Sequence, residues 1–398
     1  MEKTLTSQTE LNFNNTAIAF SYKTDEELKR AEWLFKMMSN AWLVQLGSKV
    51  GLTAMKLNLP LAESTIKSTI FEHFCGGTSL LNAQDAIEQL YKHKVQSVLD
   101  YGVEVKNHQK GFNNSMNQYI RAIEFAATTK SISTISVKIT TLARVDLLTK
   151  IQSGNPLNEE ETKEYKYILK RIDSICYVAH ERKVVVFIDA EESWVQNTID
   201  FIARRMMRRY NKEQAIVFNT YQLYRRHKID YLFDSFDDAK REDYILGAKL
   251  VRGAYMDKER ARATEQRYAS PIQTNKRATD NDYNTAIQFC VDNYLNIASI
   301  AATHNIESCL LQADLILKKG IQKNHPHLNF CQLYGMGDNI SLNLAAAGFN
   351  VAKYVVYGPV KEVIPFLIRR AEENTSITGE VGREHTLVMR EMRRRGIA

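Results

Sequence analysis

Short runs of β-branched and aromatic residues alternate along the chain with longer stretches whose apolar positions recur at helical spacing. The strand-like runs are VQSVLDYGVE from Val95, TISVKIT from Thr134, VVVFIDA from Val184, AIVFNTY from Ala215, GAKLVRGAY from Gly247, IASIAATH from Ile297, NFCQLYG from Asn329 and AKYVVYG from Ala352. Most begin about 30–50 residues apart, as βα units require. Between them lie helical patterns such as NEEETKEYKYILKRIDSICYVAHERK, where Asn158 and Glu161 form a capping-box pair. The stretch before residue 93 reads as helical, with Thr24 and Glu27 opening the helix DEELKRAEWLFKMM. Eight such units predict an α/β fold, a (βα)8 TIM-like barrel in regular or distorted form, with an N-terminal helical arm. An open doubly wound sheet has the same alternation, but the absence of any G-x-G-x-x-G motif weighs against a Rossmann dinucleotide site. The expected division is an arm over 1–92, a barrel over 93–376 and a basic tail over 377–398.

Composition narrows the class. The 398 residues are 44% hydrophobic and 25% charged, and 53 basic against 46 acidic residues leave a mild surplus of +7. No Lys/Arg-rich run marks a nucleic-acid face. The five cysteines (Cys75, Cys176, Cys290, Cys309, Cys331) are scattered, odd in number and free of CxxC pairs. This argues against a disulfide framework or a cysteine zinc site and predicts a reducing compartment. The opening MEKTLTSQTELNF lacks a basic-then-apolar signal pattern, and no apolar run reaches the roughly 18 residues of a membrane span. The expectation is a cytoplasmic protein.

The candidate chemistry sits at the ends of the strand-like runs. In TISVKIT, Ile135, Val137 and Ile139 share one face, so Lys138 points the other way. A lysine there needs an anion, either a ligand or a structural carboxylate. Asp189 closes VVVFIDA, followed by Glu191 and Glu192, while Asp100 and Glu104 share a parity in VLDYGVE. Asn219 and Tyr221 share a parity in FNTY, as do Lys249 and Tyr255 in KLVRGAY; His304 closes IASIAATH and Tyr357 closes YVVY. Barrel enzymes carry their functional groups at these carboxyl ends. Singly, each residue has a structural explanation; their recurrence strand after strand favours a site. His304 stands without H-E-x-x-H spacing, so no metal is expected, and no G-x-S-x-G elbow supports a serine hydrolase. In VIPFLIRRAEENTS, Pro365 suits an early helical turn, and Arg369 and Arg370 can converge on one carboxylate lying over the helix. The doublets at Arg204, Arg208 and Arg225 read instead as solvated helix faces.

Taken together, KLVRGAYMDKER, ATHN, LYGMGD and YGPVKEVIPFLIRRAEENTS resemble the proline dehydrogenase family over roughly Val95 to Ser376. The resemblance implies FAD at the carboxyl ends of the strands, with L-proline stacked on its ring system. It implies a substrate-carboxylate clamp of Lys138, Arg369 and Arg370, an ordering role for Asp189, and an ion pair between Glu104 and Arg369 that closes over the substrate. Tyr255, Leu333 and Tyr357 correspond to pocket walls. Asn219, Lys249, Gly253, Ala254, Thr303, His304 and Glu373 match flavin-contacting positions, and Lys276 is placed at the pyrophosphate. Two departures stand out: many bacterial members carry arginine at Lys249 and tyrosine at Phe366. The KLVRGAY wording is closer to the mitochondrial branch, although no Arg-rich transit peptide is visible.

The reaction so implied is hydride transfer from proline to flavin, giving 1-pyrroline-5-carboxylate, with a quinone or other electron acceptor reached by peripheral contact with an inner membrane. Hydroxyproline oxidation on the same site is the alternative. A Schiff-base aldolase using Lys138 or Lys249, or a lipid- or nucleic-acid-binding module built on REHTLVMREMRRR, leaves more of the strand-end residues without a role.

Overall fold

The computed structural model of the protein describes residues 11–40, 42, 62–102, 108–376 and 380–398. All eight runs form strands: β2 (Val95–Tyr101), β3 (Ile132–Val137), β4 (Val185–Ile188), β5 (Val217–Gln222), β6 (Leu246–Val251), β7 (Ile297–Ala302), β8 (Leu328–Leu333) and β9 (Asn350–Tyr357). The structure adds β1 (Cys75–Gly77) inside the stretch that reads as helical; a Cys-Gly-Gly triplet has no alternation for a period to reveal. Each strand from β2 to β9 is followed by at least one helix, and the architecture is the parallel (βα)8 barrel.

The chain divides into two compact units, one on Val105–Cys331 and one on Glu10–Glu104 with Gln332–Ala398. In the first, β3 to β8 pair in sequence order and in parallel, with Ile188 opposite Asn219 and Thr220 opposite Lys249. Every residue of β5 is buried, as expected for a strand covered on both faces. The intervening helices are set by local chemistry. Helix Glu159–Arg182 starts at the capping box of Asn158 and Glu161 and stops where Lys183 turns left-handed. One expectation shifts: β3 ends at Val137, and Ile139–Thr141 forms a 3-10 turn, so Lys138 stands on the extended link between strand and turn.

In the second unit, β9 pairs in parallel with β1 on one side and β2 on the other, Val95 facing Val351 and Tyr101 facing Tyr357. Helices Asp25–Met38, Val360–Ser376 and Glu380–Arg395 share one apolar core, in which Leu28, Phe35, Phe71, Phe74, Val363 and Val388 are buried. The capping box of Thr24 and Glu27 opens the first of these helices. The last is tied in by polar contacts as well. Glu391 takes Arg394 at 2.7 Å and Arg395 at 2.8 Å, while Arg395 also donates to the carbonyls of Phe20 and Lys23 at 2.8 and 2.9 Å. Among the described residues no helix is long and apolar enough to cross a membrane.

A deeply buried ion pair of this unit lies at the turn Tyr334–Asp338. Lys353, 0% exposed, pairs with Asp338 at 2.8 Å and donates to the carbonyls of Leu333, at 3.2 Å, and Met336. Tyr22 donates to Asp338 at 2.8 Å, and Lys23 lies 3.6 Å from it. Burial alone would raise the Asp338 pKa; the charges of Lys353 and Lys23 outweigh it and hold the carboxyl well below its usual range. Gly335 is required at its place, since its φ is +79° and a Cβ would lie 2.2 Å from the His73 carbonyl oxygen. Lys353→Met would leave the Asp338 charge short of its closest partner, and chemical denaturation is expected to show a loss of about 3–5 kcal/mol. A loss below about 1 kcal/mol would show that Lys23 and Tyr22 suffice.

Candidate active site

In the first unit the carboxyl ends of neighbouring strands bring together residues distant in sequence. Asp189, one residue past β4, donates its backbone N–H to the Val137 carbonyl at 2.9 Å, which fixes it beside the end of β3. Its carboxylate takes the Lys249 ammonium at 2.6 Å. Lys249 is only 6% exposed, and its ammonium also lies 5.2 Å from the centroid of the Phe187 ring. The structure thus joins two of the expected site residues as a nearly buried ion pair. Such a pair offsets part of the cost of burying each charge within the sheet.

Behind this pair stands Glu191, 4% exposed, a residue that sequence reading left without a role. Its carboxylate accepts the Thr140 backbone N–H at 3.0 Å and the Thr140 hydroxyl. Burial pushes the Glu191 carboxyl up to about 7, with the Thr140 hydrogen bonds opposing the rise. Lys138 is half-buried two residues before Thr140, and its carbonyl accepts the Thr141 hydroxyl at 2.6 Å.

The expected cofactor residues fall into two groups. Fully buried Asn219 donates to Asp200 at 2.9 Å, and its side-chain oxygen accepts the Thr220 N–H at 2.9 Å. Thr303 accepts from Arg252 at 2.6 Å, and Arg252 also reaches Asp280 at 2.8 Å and Ser308 at 3.0 Å. Asp280 takes the exposed Lys276 at 2.6 Å, so Arg252 organises both Thr303 and Lys276. Arg252 lies within the KLVRGAY motif yet received no role from sequence, because only its three partners reveal one. Gly253 has φ +143°, and a Cβ there would lie 2.3 Å from the Tyr224 ring. Ala254 is exposed, while Tyr255 and His304 are half-buried. The donor set (Lys249, Asn219, Thr303, Arg252 and Lys276) suits a ligand with carbonyl and phosphate oxygens. Gln222, 1% exposed at the end of β5, adds an acceptor, since its side-chain oxygen is buried with no hydrogen-bond partner and calls for an N–H or O–H from a ligand.

In the second unit, Tyr357 closes β9 and is buried against Tyr101, their ring centroids 5.4 Å apart. Leu333 closes β8, its carbonyl held by Lys353. The guanidinium carbon of Arg370 lies 5.5 Å from the centroid of the Phe366 ring, one helical turn earlier. The departure from tyrosine at Phe366 therefore keeps an aromatic platform for the arginine. Arg369 and Glu373 belong to helix Val360–Ser376, but their side chains lie outside those described, and Glu104 lies outside the described residues. The other arginine doublets correct the sequence reading in part. Arg208 is bound by Asp238 and Arg209 by Asp173 at 2.8 Å, while Arg225 and Arg226 precede a helix in a turn where the Arg225 Nε is buried. Among the described residues no cluster of His, Cys, Asp or Glu could hold a metal ion.

Comparison with known proteins adds an independent line. The family model for proline dehydrogenase matches residues 83–383. Proline dehydrogenase 1, mitochondrial, of Arabidopsis thaliana is 31% identical over 434 residues, covering 98% of this chain and 87% of that protein. Hydroxyproline dehydrogenase of Xenopus laevis is 28% identical over 425 residues, covering 98% of this chain and 91% of its own length. Among solved structures, proline utilization A of Bdellovibrio bacteriovorus superposes with a TM-score of 0.71 at 20% identity. That match covers 92% of this chain and 36% of the longer one, and it shows the shared fold.

The Asp189–Lys249 pair gives a direct test of the site's electrostatics. Lys249→Met should cost about 3–5 kcal/mol in chemical denaturation, because a nearly buried carboxylate loses its closest cation. Lys249→Arg should retain most of that stability. Equal stability of the methionine variant and the parent would remove the pair from the account.

Proposed function

The chain belongs to the proline dehydrogenase family of oxidoreductases, and from this membership we propose that it oxidises L-proline to 1-pyrroline-5-carboxylate with FAD as cofactor. The observation that carries the reading is the family match itself, which spans β2 to β9 and every residue assigned to the site. Lys138, Arg369 and Arg370 bind the substrate carboxylate. Three cations on one anion fix the ring so that the carbon beside nitrogen faces the cofactor, which is catalysis by positioning. FAD, when bound, would supply the hydride acceptor for that carbon, and the nitrogen's proton would pass to solvent to complete the imine.

The remaining residues hold this arrangement. Lys249, held in place by Asp189, supplies a fixed cation on the cofactor side. Asn219, Gly253, Ala254, Thr303, His304 and Glu373 contact the flavin, and Lys276 meets the pyrophosphate. Tyr255, Leu333 and Tyr357 enclose the pyrrolidine ring and exclude water, and the Glu104–Arg369 ion pair closes over it. A membrane quinone is the acceptor we assign for the second half-reaction, met by peripheral contact.

Anaerobic addition of proline to the FAD-loaded protein should bleach the flavin absorption band with no NAD present. A protein that cannot be loaded with FAD, or whose band is unmoved by proline, would overturn the reading.

Substrate choice follows from Tyr357. Its ring, buried against Tyr101, offers an apolar wall that methylenes cover well and a hydroxyl does not. Proline should be preferred over trans-4-hydroxyproline by at least about tenfold in kcat/KM, since burying the extra hydroxyl costs about 1–3 kcal/mol. Tyr357→Ser should narrow that ratio. A ratio unchanged by the substitution would assign Tyr357 to packing alone.

A further inference from the structure

A run of polar groups, half-buried at Thr140 and buried from Glu191 onward, links two of the assigned site residues through side chains and the Glu191 backbone, and nothing in the reaction so far uses its interior. It starts at Thr140, whose N–H and hydroxyl both donate to the Glu191 carboxylate. The Glu191 backbone N–H donates to Gln196 at 2.7 Å, and its carbonyl accepts from Gln222 at 3.1 Å. Gln196, 0% exposed, donates in turn to Asp200 at 2.9 Å. The same Asp200 oxygen accepts the Asn219 amide at 2.9 Å, and the other oxygen takes the Lys228 ammonium at 2.5 Å. At one end stands Lys138, attached to Thr140 through a turn in which Thr141 N–H and hydroxyl both donate to the Lys138 carbonyl, at 3.1 and 2.6 Å. At the other end stands Asn219.

Two carboxylates in this run lie in nearly water-free surroundings, where apolar residues of similar size would pack at lower cost. What a buried hydrogen-bonded network provides is a single geometry, here partnered along its length save for the side-chain oxygen of Gln222 at its edge. The 3-10 turn after β3 is held on one side by Tyr119, whose hydroxyl meets the Thr141 hydroxyl at 2.9 Å and accepts the Lys138 N–H at 3.4 Å, and at Thr140 by Glu191. Glu191 adds a second grip on the turn, from the end of the adjacent strand, through both the N–H and the hydroxyl of Thr140.

We infer that Glu191 is a positioning residue for the clamp lysine, acting beside Tyr119, and that Gln196 and Asp200 extend the same brace to the flavin-side amide of Asn219. Glu191 directs Lys138 toward the substrate carboxylate by fixing the turn that carries it. Asp200, neutralised by Lys228, orients the Asn219 amide by taking one of its N–H groups. This inference rests on the reading of Lys138 as a carboxylate ligand and Asn219 as a flavin contact.

The test uses the full chain loaded with FAD and four variants: Lys138→Met, Glu191→Ala, Glu191→Gln and Asp200→Asn. Glu191→Ala should raise the KM for proline about tenfold or more, the effect of losing hydrogen bonds to a charged group, while the FAD Kd stays within about twofold. Glu191→Gln, which keeps one acceptor for the turn, should recover much of that loss. Asp200→Asn should weaken FAD binding, read by flavin fluorescence on titrating FAD into the stripped protein, with KM changed far less than by Glu191→Ala. If Lys138→Met raises KM but Glu191→Ala lowers only the melting temperature, the brace is structural and the inference falls. An unchanged KM in Lys138→Met would instead remove the clamp assignment on which it rests. Should Glu191→Ala fail to fold, Thr140→Val removes the hydroxyl contact alone, and a KM equal to the parent's would overturn the inference in the same way.

Discussion

A charge buried among the strands of a parallel sheet must meet an opposite charge or be given up, and that constraint organises this protein. β3 to β8 are covered on both faces, so side chains within them have almost no water to turn to. Lys249 satisfies the constraint through Asp189 at 2.6 Å, and the pair spans β4 and β6 with β5 lying between them in the sheet. The consequence is a lysine held in place by a carboxylate at the strand ends, where barrel enzymes carry their functional groups. Arginine at this position would bring a planar fork; lysine brings a point charge that one carboxylate can anchor.

The same rule shapes the second unit. Lys353 and Asp338 form a pair with no solvent contact, and around it gather the turn after β8, Tyr22 and Lys23 from the N-terminal stretch, and the last helix through Glu384, which accepts the Gly337 N–H at 3.0 Å. Burial pushes the Glu384 carboxyl up to about 7, and the neighbouring Asp338 charge adds to the rise. Two carboxyls so close cannot both ionise readily, so the lysines are committed to Asp338. The motif LYGMGD, which reads as a family marker, thereby has a structural account. Gly335 permits a close approach to the His73 carbonyl, and Asp338 supplies the hub that fixes the Leu333 carbonyl through Lys353.

Much of the fold was legible because its determinants are local. β-branched runs, helical periods and the capping boxes at Thr24 and Asn158 depend on neighbours two to four positions away, and the eight strands and both boxes stand where the pattern put them. β1 escaped because three residues with two glycines carry no period. The polar residues at strand ends were also visible, Lys138, Asp189, Asn219 and Lys249 among them, because a charge or amide closing an apolar run breaks a pattern.

What sequence could not supply was who meets whom. Asp189 and Lys249 lie 60 residues apart, Thr140 and Glu191 51, and Asn219 and Asp200 19. Each pair comes within hydrogen-bond distance only once parallel strands and their helices are stacked. Arg252 and Glu191 show the difference most clearly: in the sequence one is a basic residue inside a motif and the other an acid after a strand. The sequence by itself determined which elements form and which strand ends close in polar side chains, since both follow from residue type and short-range spacing. Tertiary structure alone decided the pairing of buried charges, because desolvation makes an ionised group depend on partners that no local pattern can name.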